Sequence, residues 1–292
     1  MTSFDFSFAS VIGSEHVRLS LNNQDALVVT RGDWYSMGIV SDGCGSCQRS
    51  EVGSALTVRL AAKFIPDALR GVPVELVADK FKVVRRNIVS ALGRIVNEVS
   101  NELMDSVSGF DVHGGYGGFL TEEGSISSCF LATIVGFYAC DEYVVVFSIG
   151  DGFYAVNGVL AAVDADRPSD NAPDYPAYHL LPRVMESLPD GSAEFSIRTF
   201  STKDVDTVMV GTDGLRFLLN SEESKVPGKA SKVGKISQLW EDKMFLNHDM
   251  MRRTLALLNK DVHIPDWQGQ SMIVCPSILK DDIAVVSARR RK

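Results

Sequence analysis

The chain has 292 residues, 45% of them hydrophobic, which is enough to bury a large core in one big domain or two smaller ones. A net charge of −8 and a pI near 5.2 exclude a protein that as a whole seeks nucleic acid or anionic membranes. No apolar run approaches the ~18 residues that span a bilayer, and the opening MTSFDFSFAS has no basic segment of a secretory signal. The cysteines number five, an odd count spread along the chain, which predicts reduced thiols and a cytoplasmic location.

In chain order, Phe8–Ile12, Ala26–Thr30 and Trp34–Ser41 predict strands, with Arg31-Gly32-Asp33 as a hairpin-like break. From residue 50 the spacing becomes helical, with Ser50 as N-cap and Pro66 near the end. Phe81, Val84, Ile88, Leu92, Ile95 and Val99 predict one long amphipathic helix over Val74–Met104. A glycine-rich loop follows at 109–119. Strands resume at Cys129–Cys140, Tyr143–Ile149, Phe153–Val156 and Val159–Val163, whose short links predict a β-meander. Residues 164–192 read as irregular, and Glu194–Ser201 and Thr207–Gly211 as strands. The lysine-rich stretch 220–235 predicts a mobile, flap-like insertion. Ile236–Leu258 predicts a helix, Ile283–Ser287 a last strand, and 289–292 a frayed basic tail. Short hairpin links favour a single antiparallel α+β domain over a parallel sheet, and no linker or fixed-period repeat divides residues 1–292.

One pattern recurs. Apolar strands run into Asp-Gly at Asp42, Asp151 and Asp213, while Asp281-Asp282 and Asp25 stand just before strands. A single Asp-Gly is ordinarily a turn. Antiparallel strands, however, can bring both kinds of end to one rim, and several acids there make an oxygen-rich cup for hard divalent ions. Two such ions sharing a carboxylate would activate water and polarise a phosphoryl group.

The stretches NNQDALVV, GIVSDGCGS, CFLATIVGFY, VVVFSIGDGFYAVNG, VMVGTDGL and DDIAVVSA together resemble the metal-dependent PP2C-type (PPM) protein phosphatases, closest to their bacterial branch. The resemblance spans residues 11 to 288. It implies a β-sandwich of two antiparallel sheets flanked by helices, with two Mn²⁺ or Mg²⁺ ions and room for a third. It implies Asp42 as the bridging carboxylate, Gly43 as a carbonyl ligand, and Asp213 and Asp281 on the first ion. Asp25 would serve the second ion, directly or through water, and Asp151 the third. The implied reaction is hydrolysis of phosphoserine or phosphothreonine by a metal-activated hydroxide, on a phosphoprotein substrate from a Ser/Thr kinase pathway.

Three positions depart from the family pattern. Ser20 stands where an arginine usually clamps phosphate, Cys44 where a histidine is usual, and Gln24 where a glutamate is common. Arg49, Arg18 and His16 are the nearby residues that could contact phosphate instead. The lost arginine and histidine leave open a catalytically silent pseudophosphatase that binds phosphoproteins. A redox or zinc protein built on Cys44 and Cys47 has a suitable strand–loop–helix context, but lacks a second Cys/His pair and leaves the acids unexplained.

Overall fold

The computed structural model describes residues 3–107, 121–163 and 173–291; the glycine-rich loop 109–119 and residues 164–172 of the irregular stretch lie outside them. The chain begins β1 (Phe4–Val11), α1 (Ser14–Leu19), β2 (Ala26–Arg31), β3 (Ser36–Ser41), α2 (Ser50–Leu69), α3 (Val77–Val107) and α4 (Glu122–Ser125). Next come β4 (Ile134–Ala139), β5 (Tyr143–Ile149), β6 (Phe153–Val156), β7 (Val159–Ala162), α5 (Pro182–Ser187), β8 (Ser196–Ser201) and β9 (Thr207–Gly211). It closes with α6 (Leu215–Leu219), α7 (Asp242–Leu246), α8 (Met250–Ala256), β10 (Val262–Asp266), β11 (Ser271–Cys275) and β12 (Ile283–Arg290).

Two antiparallel sheets face each other, ordered β1-β12-β9-β6-β7 and β2-β3-β4-β5-β8. Alternation sets the layers. Val40, Phe137, Val146, Val210, Ala284 and Val286 fill the space between the sheets. From the other faces, Met37, Ile39 and Val145 pack on Val58, Ile65, Phe81 and Ile88 of α2 and α3. Met209, Ile283 and Val285 pack on Leu215, Met251 and Leu255. The result is the expected sandwich between helical layers.

Several local expectations are corrected. The strands from Tyr143 to Ala162 are no meander: β5 pairs with β4 and β8, whereas β6 pairs with β7 and β9 in the other sheet. Gly150 and Gly152, at φ 96° and 137°, make that sheet-to-sheet step, so Asp151 sits in a crossover. The strand expected from Cys129 begins only at Ile134. The carbonyls of Ser128 and Leu131 accept instead from the Arg49 and Cys44 N–H groups, at 2.9 and 3.0 Å. Helix α2 starts at Ser50 itself, with no side-chain cap. In α3 the buried stripe continues from Leu92 to Val96, whereas Val99, expected on it, is 42% exposed.

The expected 236–258 helix is three short turns of chain, ending in α7 and α8. The 220–235 stretch is not a free flap: Val226 and Val233 enter the core beside α6 and α8. The hairpin β10–β11 went unforeseen, because Pro265 speaks against a strand and its Trp267 is 85% exposed. Nor is the basic end frayed. Arg290 pairs with Asp206 at 2.7 Å and Arg291 with Asp5 at 2.5 Å, while Arg289 pairs with Asp242.

Candidate metal centre

Strand register brings the acids together. Ala26 pairs with Ser41, so Asp25 and Asp42, one residue beyond each, share a rim. Gly211 pairs with both Val285 and Phe153, which draws Asp213 towards Asp281 on one side and Asp151 on the other. The central strands β3, β9 and β12 therefore end at one acidic cup.

Hydrogen bonds hold each piece. Thr212 Oγ1 donates to Asp25 Oδ2 at 2.6 Å and itself accepts from the Ala284 N–H at 2.9 Å. Thr133 binds both main-chain groups of Asp42: its Oγ1 accepts from Asp42 N at 3.0 Å, and its N–H donates to Asp42 O at 2.8 Å. Buried Asp282 accepts from Gly13 N at 2.7 Å and Gln24 N at 2.5 Å, so one carboxylate fastens the segments leading to α1 and to Asp25. A Cβ at Gly43 would stand 2.8 Å from Gln24 O, so only glycine fits between Asp42 and that segment.

The carboxyls of Asp25 and Asp42 are buried side by side at this rim, where each opposes the other's charge. Burial first, and then the neighbouring acids, push both carboxyls well above the ordinary range. Asp213 is pushed from 3.8 to about 6, by burial and then by Asp151 and Asp281. At neutral pH, keeping Asp213 charged therefore costs the metal-free fold roughly 3 kcal/mol. A hard divalent cation would remove that cost, and the donor set of carboxylates around a tight Asp-Gly fits one.

Because the folded value is raised, the folded state binds the extra proton, so this stability is present below pH 4 and lost as pH rises through about 6. The Tm of metal-free wild type is thus expected to fall, relative to Asp213→Asn, as pH goes from 5 to 7. Parallel melting curves for the two proteins would contradict this clustering.

The other sequence-derived candidates lie around the cup. Asp281 is at its outer edge, 52% exposed, with Oδ1 accepting from the Asp282 N–H at 2.9 Å. His16 rests on Asp282, Nδ1 to Oδ2 2.9 Å, and reaches Asp281 Oδ1 at 3.9 Å. The donor atoms of His16, Asp281 and Asp282 lie within 4.8 Å of one another, yet both Asp282 oxygens already accept main-chain N–H groups. Arg18 is 73% exposed beside Glu15, and Arg49 62% exposed beside Glu51, each 4.0 Å from its partner. Ser20 ends α1 in a left-handed cap at φ 57°.

Sequence reading missed four participants. They are Thr212, Thr133, Tyr175, a buried residue whose hydroxyl pKa is raised by burial and then by Cys44, and Arg216, whose Nη2 lies 3.4 Å from Asp151 Oδ2. Thr212 and Arg216 flank the Asp213-Gly214 pair, which was the available signal. Tyr175 is far in sequence and carried none.

The sequence profile of the protein phosphatase 2C family matches residues 12–244, and the chain belongs to that family. No curated protein sequence matches it significantly. Among solved structures, a bacterial serine phosphatase carrying an arginine-to-alanine substitution superposes with a TM-score of 0.54 at 12% identity, covering 100% of both chains. The catalytic domain of the serine/threonine protein phosphatase PstP, in complex with two manganese ions, gives 0.50 at 13% identity over 100% of both chains. The photosystem II phosphatase PBCP gives 0.50 at 13% identity over 99% of each. These likenesses establish the fold.

Proposed function

We propose that the chain is an active, divalent-metal-dependent phosphatase that hydrolyses phosphoserine and phosphothreonine in a phosphoprotein. The observation that carries this reading is the strand register that gathers Asp25, Asp42 and Asp213 in one cup, where burial and their mutual repulsion raise all three carboxyls, an arrangement unfavourable without a cation. Asp42, the Gly43 carbonyl, Asp213 and Asp281 would hold a Mn²⁺ or Mg²⁺ pair, Asp25 would hold the second ion directly or through water, and Asp151 would serve a third. Such ions supply Lewis acidity that activates water and neutralises phosphoryl oxygens. The supporting relatives are phosphatases, one of them crystallised with manganese.

The protein's own groups orient the substrate. Arg216 is the guanidinium set against the cup, so it is proposed to bind the substrate phosphate in place of the family's missing arginine, while Arg49 and Arg18 face glutamates. Arg216→Ala should raise KM for p-nitrophenyl phosphate roughly tenfold, with kcat changed less and Mn²⁺ affinity retained. An unchanged KM would return the phosphate role to Arg49. Among the described residues, no helix is long and apolar enough to cross a membrane. A cytoplasmic enzyme acting in a Ser/Thr kinase pathway, without nucleic-acid or membrane partners, is the setting proposed.

The deciding experiment is a manganese-dependent assay on phosphopeptides, with Asp42→Ala and Asp213→Ala as controls. Turnover that needs both acids and the metal is expected. Metal binding without turnover would instead support the silent phosphoprotein-binding reading, which Ser20 and Cys44 favour.

A further inference from the structure

The proposed reaction makes no use of the two thiols at the mouth of the cup. Cys47 N–H donates to Cys44 O at 2.9 Å, closing a four-residue turn. Such a turn holds its end Cα atoms within about 7 Å, overlapping the ~4.4–6.8 Å that a disulfide spans. Cys44 Sγ lies 3.2 Å from Ser46 Oγ, and Cys47 Sγ donates to Ser127 O at 3.0 Å. Both cysteines are partly exposed, so a small solute can reach them.

We propose that Cys44 and Cys47 form a reversible oxidation site, closed to a disulfide by a hydroperoxide, which loosens the metal centre through Gly43. The chemistry balances in two steps. The Cys44 sulfur attacks the peroxide, taking one oxygen to become a sulfenic acid; the thiol proton leaves with the other oxygen, as water for H₂O₂. The Cys47 sulfur then displaces hydroxide from that sulfenic acid, and the Cys47 proton completes a second water as the S–S bond forms. The thiol pair gives up two electrons and the peroxide accepts them. A dithiol reductant reverses the process.

The coupling to the cup is covalent and short. Cys44 follows Gly43 directly, and its N–H is fixed to Leu131 O at 3.0 Å. Gly43 itself pairs with Ala132 in an isolated bridge and has no space to shift towards Gln24 O or Ser50. Drawing the two sulfurs into a bond pulls Cys47 Sγ away from Ser127 O and twists this loop, so the Gly43 carbonyl must move. This consequence for Mn²⁺ rests on the proposed function; the disulfide itself does not.

The test oxidises the full-length protein with hydrogen peroxide and reads thiol count, peptide mass and Mn²⁺ affinity by calorimetry. Expected are the loss of two of the five thiols and a Cys44–Cys47 peptide lighter by two hydrogens. Mn²⁺ affinity should fall roughly tenfold or more, with all three readings restored by dithiothreitol. Cys47→Ser should keep its Mn²⁺ affinity under mild peroxide, while Cys129→Ser should respond like wild type. A Cys47–Cys129 linkage, sulfinic acid as the sole product, or a Cys44–Cys47 disulfide without effect on Mn²⁺ would overturn the proposal. If the reduced protein binds no Mn²⁺, the metal reading fails and the mass data alone decide the disulfide.

Discussion

Replacing Asp42 with asparagine is expected to abolish manganese-dependent turnover, by at least about 10³-fold or roughly 4 kcal/mol, while raising the Tm of the metal-free protein. The two effects have one cause. Asp42 carries its raised pKa because burial and Asp25 oppose its charge, so the metal-free fold is strained at this point. An amide of the same shape can donate to Asp25 and removes the repulsion. Each kcal/mol relieved should raise Tm by about 2–4 °C in a domain of this size. The same amide cannot bridge two cations, so the Tm gain that Mn²⁺ gives wild type should vanish. A variant that loses both activity and metal-free stability would show instead that Asp42 is a structural residue.

Asp282→Ala should be the most destabilising single change near the site. Its carboxylate is the acceptor for Gly13 N and Gln24 N, and the methyl group leaves both donors without it. At about 1–3 kcal/mol for each orphaned buried group, the loss is roughly 2–6 kcal/mol. Metal affinity should fall with stability, because Gln24 leads into Asp25 and Asp282 follows Asp281. Asp282→Asn keeps one acceptor oxygen and should recover about half of the stability. Thermal melts of the three proteins measure this directly, and a wild-type melt for Asp282→Ala would remove the brace from the account.

The fold was legible where the pattern was local. Apolar and β-branched runs located most of the strands, the two-sheet sandwich followed only from the family resemblance, and Phe81, Val84, Ile88 and Leu92 located the packed face of α3. Pairing between sheets was not legible. Nothing local distinguishes a hairpin at Gly150-Asp151-Gly152 from a step between sheets, since both need positive φ. The strand expected from Cys129 starts only at Ile134, because residues 126–130 are helical and the Ser128 and Leu131 carbonyls are claimed by Arg49 and Cys44, some 80 residues earlier.

At the site, the Asp-Gly pattern marked Asp42 and Asp213 because each ends a strand. Asp282 was read only as the neighbour of Asp281. Its role depends on main-chain donors from Gly13 and Gln24, which no sequence spacing reveals. Arg216 carried only the weak signal of standing near Asp213-Gly214; its contact with Asp151 depends on the pairing of β6 with β9.

The most direct test of the central claim is anomalous diffraction at the manganese edge from crystals of the protein soaked in Mn²⁺. The account predicts two ions sharing Asp42, one of them also held by Asp213 and Asp281 and the other by the Gly43 carbonyl. No ion at Asp42, or a single ion held only by His16, Asp281 and Asp282, would contradict it.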